Sequence, residues 1–183
     1  MASLYDMISG GAIAFGDFKR PIQKANLLKI ALQYCQSFEG MVISHPINNE
    51  LAGKGVMHEG ITSTRIGLKG IPSMTESVQI ARDLEILKYS GGKLHIPNIS
   101  TEAGLDLIRK AKKQGLKVSC SVGLPHLIFD DTKLESFDPN FKVFPPIRSK
   151  TDQQALRAGL LEGTIDTISS MHEPMNIEFK KLE

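Results

Sequence analysis

Apolar and polar positions along the chain follow two patterns in turn, one suited to strands and one to helices. Short β-prone runs recur, each followed by a helical stripe. The first run is Gly11-Ala-Ile-Ala-Phe15. A helix is expected from Asn26 to about Gln36, where Leu27, Leu28, Ala31, Leu32 and Cys35 fall near one face. The second run, Met41-Val-Ile-Ser44, is entered through Gly40, and the glycine-containing stretch from Asn48 to Gly70 reads as a loop too long to be a simple connector. Ser73 and Glu76 then stand at capping-box spacing ahead of Val78, Ile80, Ala81, Leu84 and Leu87, and Gly91-Gly92 stops that helix. The third run is Lys93-Leu-His-Ile-Pro-Asn-Ile99. Ser100 or Thr101 is expected to cap a helix through Leu105, Leu107, Ile108 and Ala111 that ends at Gly115. The fourth run is Leu116-Lys-Val-Ser-Cys-Ser-Val122. After an irregular stretch holding Pro139, Pro145 and Pro146, Ser149 opens a helix through Leu156, Leu160 and Leu161. Gly163 ends it ahead of the fifth run, Ile165-Asp-Thr-Ile-Ser169. Strands alternating with helices predict a parallel sheet with right-handed crossovers, an α/β fold.

Composition narrows the picture. A chain of 183 residues is expected to form a single domain over residues 1–183 with a core of its own. The longest apolar runs are about six residues, against the roughly 20 needed to cross a bilayer, so no membrane partner is expected. The opening MASLYDMISGGAIAF lacks the basic segment of a signal peptide, which disfavours secretion. With 22 basic and 20 acidic residues, the net charge of +2 leaves no cationic excess for a phosphate backbone, and nucleic acid is disfavoured as a partner. Cys35 and Cys120 lie far apart without a CxxC pair, which fits a reducing cytoplasm.

Reactive groups in parallel α/β folds sit where strands end at their carboxyl edge. Asp17, His45, His95 with Asn98, His126, and His172 with Glu173 occupy or follow the successive runs. Four of the five histidines are thus on or just after strands, a pattern compatible with a zinc site assembled from several strands. Each is equally compatible with a hydrogen-bonded structural histidine. Strand alternation opposes a cluster, because Leu94, Ile96 and Asn98 on one face put His95 on the other. His58 lies in the long loop with no expected strand to position it. Gly53-Lys-Gly55 and Gly67-Leu-Lys-Gly70 are weak phosphate-loop signals, and Lys112-Lys113 reads as a solvated helix face.

A family resemblance is carried by Glu59-Gly60, Gly67-Leu-Lys-Gly-Ile-Pro72, Glu76-Ser-Val-Gln-Ile-Ala-Arg-Asp83 and Ile99-Ser-Thr101. It continues through Ile108-Arg-Lys-Ala-Lys112, Lys142-Val-Phe-Pro-Pro-Ile-Arg148 and Gly163-Thr-Ile-Asp166. In that order these segments resemble the dihydroorotase family of cyclic amidohydrolases. The resemblance implies a (β/α)₈ barrel of the TIM type, of which this chain holds about the last five parallel strands with their crossover helices. A complete barrel takes about 250 residues. The family's first strand, with a His-x-His metal pair and a substrate arginine, has no counterpart here.

The family's site maps onto this chain position by position. Its bridging aspartate, 27 residues before the next ligand histidine, falls on Phe18, with Asp17 beside it. The ligand histidine itself matches His45, followed by Pro46-Ile47-Asn48 instead of acidic residues. The ligand of the family's His-x-x-His-Val-Ser-Thr segment falls on Asn98, while His95 matches the first, non-ligand histidine. The general base of Thr-Asp-His-Ala-Pro-His falls on Met171. Two substrate-binding positions fall on Phe144 and Met175. A hard divalent ion needs deprotonated oxygen or imidazole ligands, and a hydrolytic base must accept a proton. Phenylalanine, asparagine and methionine supply neither.

The expected reading is therefore a degenerate dihydroorotase homologue without catalytic residues or cofactor. Such family members act as structural partners of aspartate transcarbamoylase in pyrimidine biosynthesis, and the resemblance implies that partner. One alternative is an active zinc-dependent cyclic amidohydrolase whose first-strand ligands lie outside this chain, with Asp17, His45, His95 and His172 rearranged around the metal. Another is a binding module for an apolar ligand in a pocket lined by Phe18, Phe144 and Met171. A five-stranded barrel segment cannot close, so its edges and an inner face bearing Phe15, Ile43 and Ile96 are expected to be covered by a partner or a second copy.

Overall fold

The computed structural model describes residues 3–174 and 176–180. Its strands in chain order are β1 (Ala14–Phe15), β2 (Met41–Ile43), β3 (Met57–His58), β4 (Gly70–Ile71), β5 (Lys93–Ile99), β6 (Val118–Gly123) and β7 (Thr167–Ser169). The helices are α1 (Leu4–Ser9), α2 (Ala25–Cys35), α3 (Asn49–Ala52), α4 (Ile61–Ile66), α5 (Met74–Ser90), α6 (Glu102–Lys113), α7 (Leu124–Ile128), α8 (Lys150–Leu161) and α9 (Ile177–Lys180). The five expected runs form one sheet in the order β1-β2-β5-β6-β7, and every pairing in it is parallel.

Register decides which face each residue serves. Phe15, Val42, Leu94 and Val118 stand side by side across four strands, and all four are buried in the main core. Onto this face α2, α5, α6 and α8 lay Leu28, Leu32, Ile80, Leu87, Leu105, Ile108 and Leu156. Each fully buried side chain of this size contributes roughly 1.5–3 kcal/mol. The opposite face carries Ile43, His95 and Ser119 in register, all half-buried. The expectation of an apolar inner face is corrected here. Phe15 and Ile96 point at the helices and are 6% and 1% exposed, leaving Ile43 alone of the three on the inner side. A shift of one residue exchanges the faces of a strand, and periodicity gives no sign of which face the helices cover.

The stretch expected to be a loop, Asn48 to Gly70, contains α3, β3 and α4 and ends on β4. β3 and β4 pair in parallel as a separate two-stranded sheet. Its glycines serve close approach: a Cβ on Gly55 would lie 2.5 Å from the Gly70 carbonyl oxygen. His58 is thus positioned by a strand after all and is 9% exposed. Caps at Thr101 and Ser149 form as expected, accepting from the Gly104 and Asp152 amides. The Ser73–Glu76 capping box does not. Ser73 is already helical at φ −60°, ψ −30° without a capping hydrogen bond, and Glu76 leaves its own helix for Ser100 and Thr101 at the junction between β5 and α6. Of the expected solvated pair Lys112-Lys113, Lys113 is exposed but Lys112 is half-buried and paired. It reaches Asp166 at 2.8 and 2.7 Å and donates to the Thr164 carbonyl at 2.8 Å. Among the described residues no helix is long and apolar enough to cross a membrane.

Candidate functional site at the carboxyl edge of the sheet

The strands of the main sheet end on one edge, where β1 leads into Asp17-Phe18-Lys19, β2 into His45, and β7 into Met171-His172-Glu173. Asn98 lies near the end of β5, at the irregularity between Ile96 and Ile99. Phe18, Asn98 and Met171 share a left-handed backbone, with φ of 55°, 51° and 51°. These are the three positions that the resemblance assigns to metal ligands and base. Asparagine tolerates this region, whereas for phenylalanine and methionine it costs about 1–2 kcal/mol each.

The side chains diverge. Phe18 is 81% exposed and Asp17 is exposed, so neither is turned into a shared site. His45 is buried, and its Nε2 has no hydrogen-bond partner among the described residues. Burial, then the nearby Lys19 charge, lowers its pKa to about 4, so the ring is neutral near pH 7. It tilts 34° against Phe144 with centroids 5.8 Å apart. The Asn98 amide donates to Ser121 Oγ at 2.9 Å, and its buried Oδ1 has no partner among the described residues.

His126, within α7, has a different role. Its Nε2 lies 3.0 Å from the Pro145 carbonyl oxygen and 3.2 Å from that of Pro146. Carbonyls only accept, so Nε2 carries the proton and Nδ1 is a bare acceptor. Burial brings this pKa also to about 4. His95 sits on the inner face with Nδ1 2.9 Å from Ser119 Oγ, away from the carboxyl edge. His172 is exposed at the rim, and Met175 lies outside the described residues.

A cleft of about 580 Å³ opens at this edge. Phe144 and Met171 line it, but Phe18 does not: its neighbour Lys19 takes that place, which corrects the expected lining. The Met171 sulfur packs on Gly123, where an added Cβ would overlap it. Lys19 and Glu173 form an ion pair at the rim, joining the segments that follow the two edge strands β1 and β7.

Beside the cleft lies a buried network that motif reading did not assign. Glu76, 1% exposed, accepts from the Ser100 amide at 2.9 Å, the Thr101 amide at 2.9 Å and Thr101 Oγ1 at 2.8 Å, and also from Ser100 Oγ. Arg148 donates to Ser100 Oγ at 3.1 Å and to the Ile71 carbonyl at 2.7 Å, with His58 Nδ1 3.5 Å away. Burial raises the Glu76 carboxyl above its usual range, opposed first by Arg148. Glu76, Ser100, Thr101 and Arg148 all stand in segments that carry the family resemblance, but nothing in the sequence joined them to one another.

No three His, Cys, Asp or Glu side chains come together among the described residues. Zinc, the ion implied by the family, finds at these strand ends one buried imidazole, one neutral amide, a thioether and an exposed ring. A single imidazole, with no carboxylate or thiolate converging on it among the described residues, is too few donors to hold zinc.

Residues 2–104 match the dihydro-orotase-like family. The whole chain is 42% identical to a dihydroorotase of Pelotomaculum thermopropionicum over 183 residues and 40% identical to one of Ruminiclostridium cellulolyticum. In both cases it covers 43% of the relative, so the chain spans less than half the length of the curated relatives it matches. Among solved structures, an L-hydantoinase (dihydropyrimidinase) from Arthrobacter aurescens superimposes with a TM-score of 0.83 at 24% identity, over 97% of this chain and 42% of that one. A D-hydantoinase (dihydropyrimidinase) from Thermus sp. gives 0.80 at 23%, over 96% and 40%. The chain belongs to the dihydroorotase-like family, and its five-stranded parallel sheet is part of an amidohydrolase (β/α)₈ barrel.

Proposed function

We propose that this chain is part of a non-catalytic dihydroorotase homologue that serves pyrimidine biosynthesis as a structural partner, with aspartate transcarbamoylase as the enzyme it helps to assemble. One observation carries the reading. Phe18, Asn98 and Met171 keep a left-handed backbone, unfavourable for Phe18 and Met171, at strand ends where the family places its ligands and base, while their side chains offer no charge and no proton acceptor. Strain of this kind marks sites that a fold holds in place, and here it is separated from the chemistry that would use it. His45, Phe144 and Met171 then serve packing, and the outward role falls to the sheet edges and the open inner face.

The test is a paired assay on the intact protein. Elemental analysis after dialysis against zinc should find no tightly held ion, and dihydroorotate and carbamoyl aspartate should not interconvert above background. Stoichiometric zinc together with turnover would overturn the proposal and favour an active amidohydrolase that draws its first-strand ligands from outside this chain.

A further inference from the structure

The cleft at the carboxyl edge has a volume of about 580 Å³, within the roughly 300–1,000 Å³ of small-molecule sites. Val56, Ile71, Val143, Phe144, Met171 and Phe179 form its apolar wall, facing a polar rim that holds Lys19, Asn140, Lys142, Ser170, His172 and Glu173. The Phe144 ring and the Met171 thioether occupy positions where the family resemblance implies contacts or chemistry directed at a polar substrate, yet neither side chain donates a hydrogen bond. Aromatic rings favour offset or edge-on aromatic partners, and thioethers favour ring edges. His45, which backs Phe144, is buried and tilted against it, and extends the aromatic surface behind the wall.

Charge at the rim argues in the same direction. Lys19 and Glu173 both line the cleft and are paired with each other. An anionic ligand that used Lys19 would have to draw it away from Glu173 and leave a carboxylate beside its own charge, with Lys142 as the other lysine of the lining. An uncharged ligand leaves the pair intact. Backing by Gly123 fixes the Met171 sulfur at the wall, because any larger residue there would push the thioether into the open space.

We propose that this cleft binds an uncharged, flat aromatic molecule of one or two fused rings, held between Phe144 and Met171. The proposal rests on the non-catalytic reading, since it takes those two side chains as walls and not as remnants of a working site. The experiment titrates indole, and separately dihydroorotate, into the intact protein, with binding followed by calorimetry and saturation-transfer NMR. Indole should bind with a sub-millimolar Kd and dihydroorotate at least about tenfold more weakly, tenfold corresponding to about 1.4 kcal/mol. Met171→Lys and Phe144→Ala should each weaken indole by about tenfold. Circular dichroism identifies any variant that fails to fold; in that event Gly123→Ala, which crowds Met171 into the cleft, replaces it with the same expected loss. Absence of indole binding, preference for dihydroorotate, or equal affinity in folded variants would overturn the inference. Zinc content and turnover are measured on the same sample. A protein with neither zinc nor indole binding refutes only the ligand, whereas zinc with turnover refutes the reading beneath it.

Discussion

Glu76→Gln is nearly isosteric, yet it removes a buried charge and turns one of two acceptor oxygens into a donor. In the wild-type protein the carboxylate of a 1%-exposed residue takes hydrogen bonds from two backbone amides and two hydroxyls, while Arg148 reaches it through Ser100. A carboxamide retains one acceptor oxygen, so its NH₂ faces the donors of either Ser100 or Thr101. Each buried donor left without an acceptor costs about 1–3 kcal/mol. The 2%-exposed Arg148 also loses the stronger of its two nearby counter-charges, keeping Asp152. Removing one partner of a directly paired buried ion pair costs about 3–5 kcal/mol, an upper bound here because Ser100 Oγ stands between the two charges, against a total stability of roughly 5–15 kcal/mol for a domain. Equilibrium urea unfolding at pH 7, followed by far-UV circular dichroism, should therefore show a midpoint lower by about 1–2 M. Arg148→Met alone should be comparably damaging. The double variant should be less destabilised than the sum of the two by about 1–3 kcal/mol, because it no longer buries an uncompensated charge. A loss below about 1 kcal/mol for Glu76→Gln, or additivity within about 0.5 kcal/mol, would show that the network does not pin α5, β5, β4 and α8 together.

Two further outcomes are expected. His126 has its pKa lowered from 6.5 to about 4 on folding, so the unfolded chain takes up the proton first as pH falls. Its contribution is complete above about pH 6.5 and is lost towards pH 4, amounting to roughly 3 kcal/mol. Glu76 and Asp83, raised by burial, act with the opposite sign. The readout is therefore the difference between wild type and His126→Gln, which should shrink as pH falls from 7 to 4.5 in urea titrations; a constant difference would refute the assignment. For assembly, β1 and β7 each pair on one side only among the described residues, and Ile13, Phe18, Leu161 and Ile168 near those edges are 85%, 81%, 89% and 50% exposed. Sedimentation velocity of the 183-residue chain over a hundredfold concentration range should show self-association, and a single monomeric species throughout would refute it.

Local pattern determined the order of elements, because strand and helix periodicity and capping chemistry depend on neighbours in the chain. The run Lys93–Ile99 is a strand over those same residues, and Thr101 and Ser149 cap the helices they precede. Phe18, Asn98 and Met171 could likewise be placed at strand ends, because motif spacing is a property of the sequence. What depends on distant partners could not be read there. Glu76 stands at capping-box spacing from Ser73, but two amides and two hydroxyls 24 and 25 residues away offer a carboxylate more than its own helix end does. β3 and β4 have two residues each, too few for any period, and exist because Gly55 and Gly70 let their backbones meet. Alternation shows that Phe15 and Ile43 face opposite ways only after register is known, and register is set by pairing across the sheet. The cleft follows the same rule: its walls come from segments more than a hundred residues apart, and only the tertiary fold brings Lys19 to Glu173 and Met171 onto Gly123.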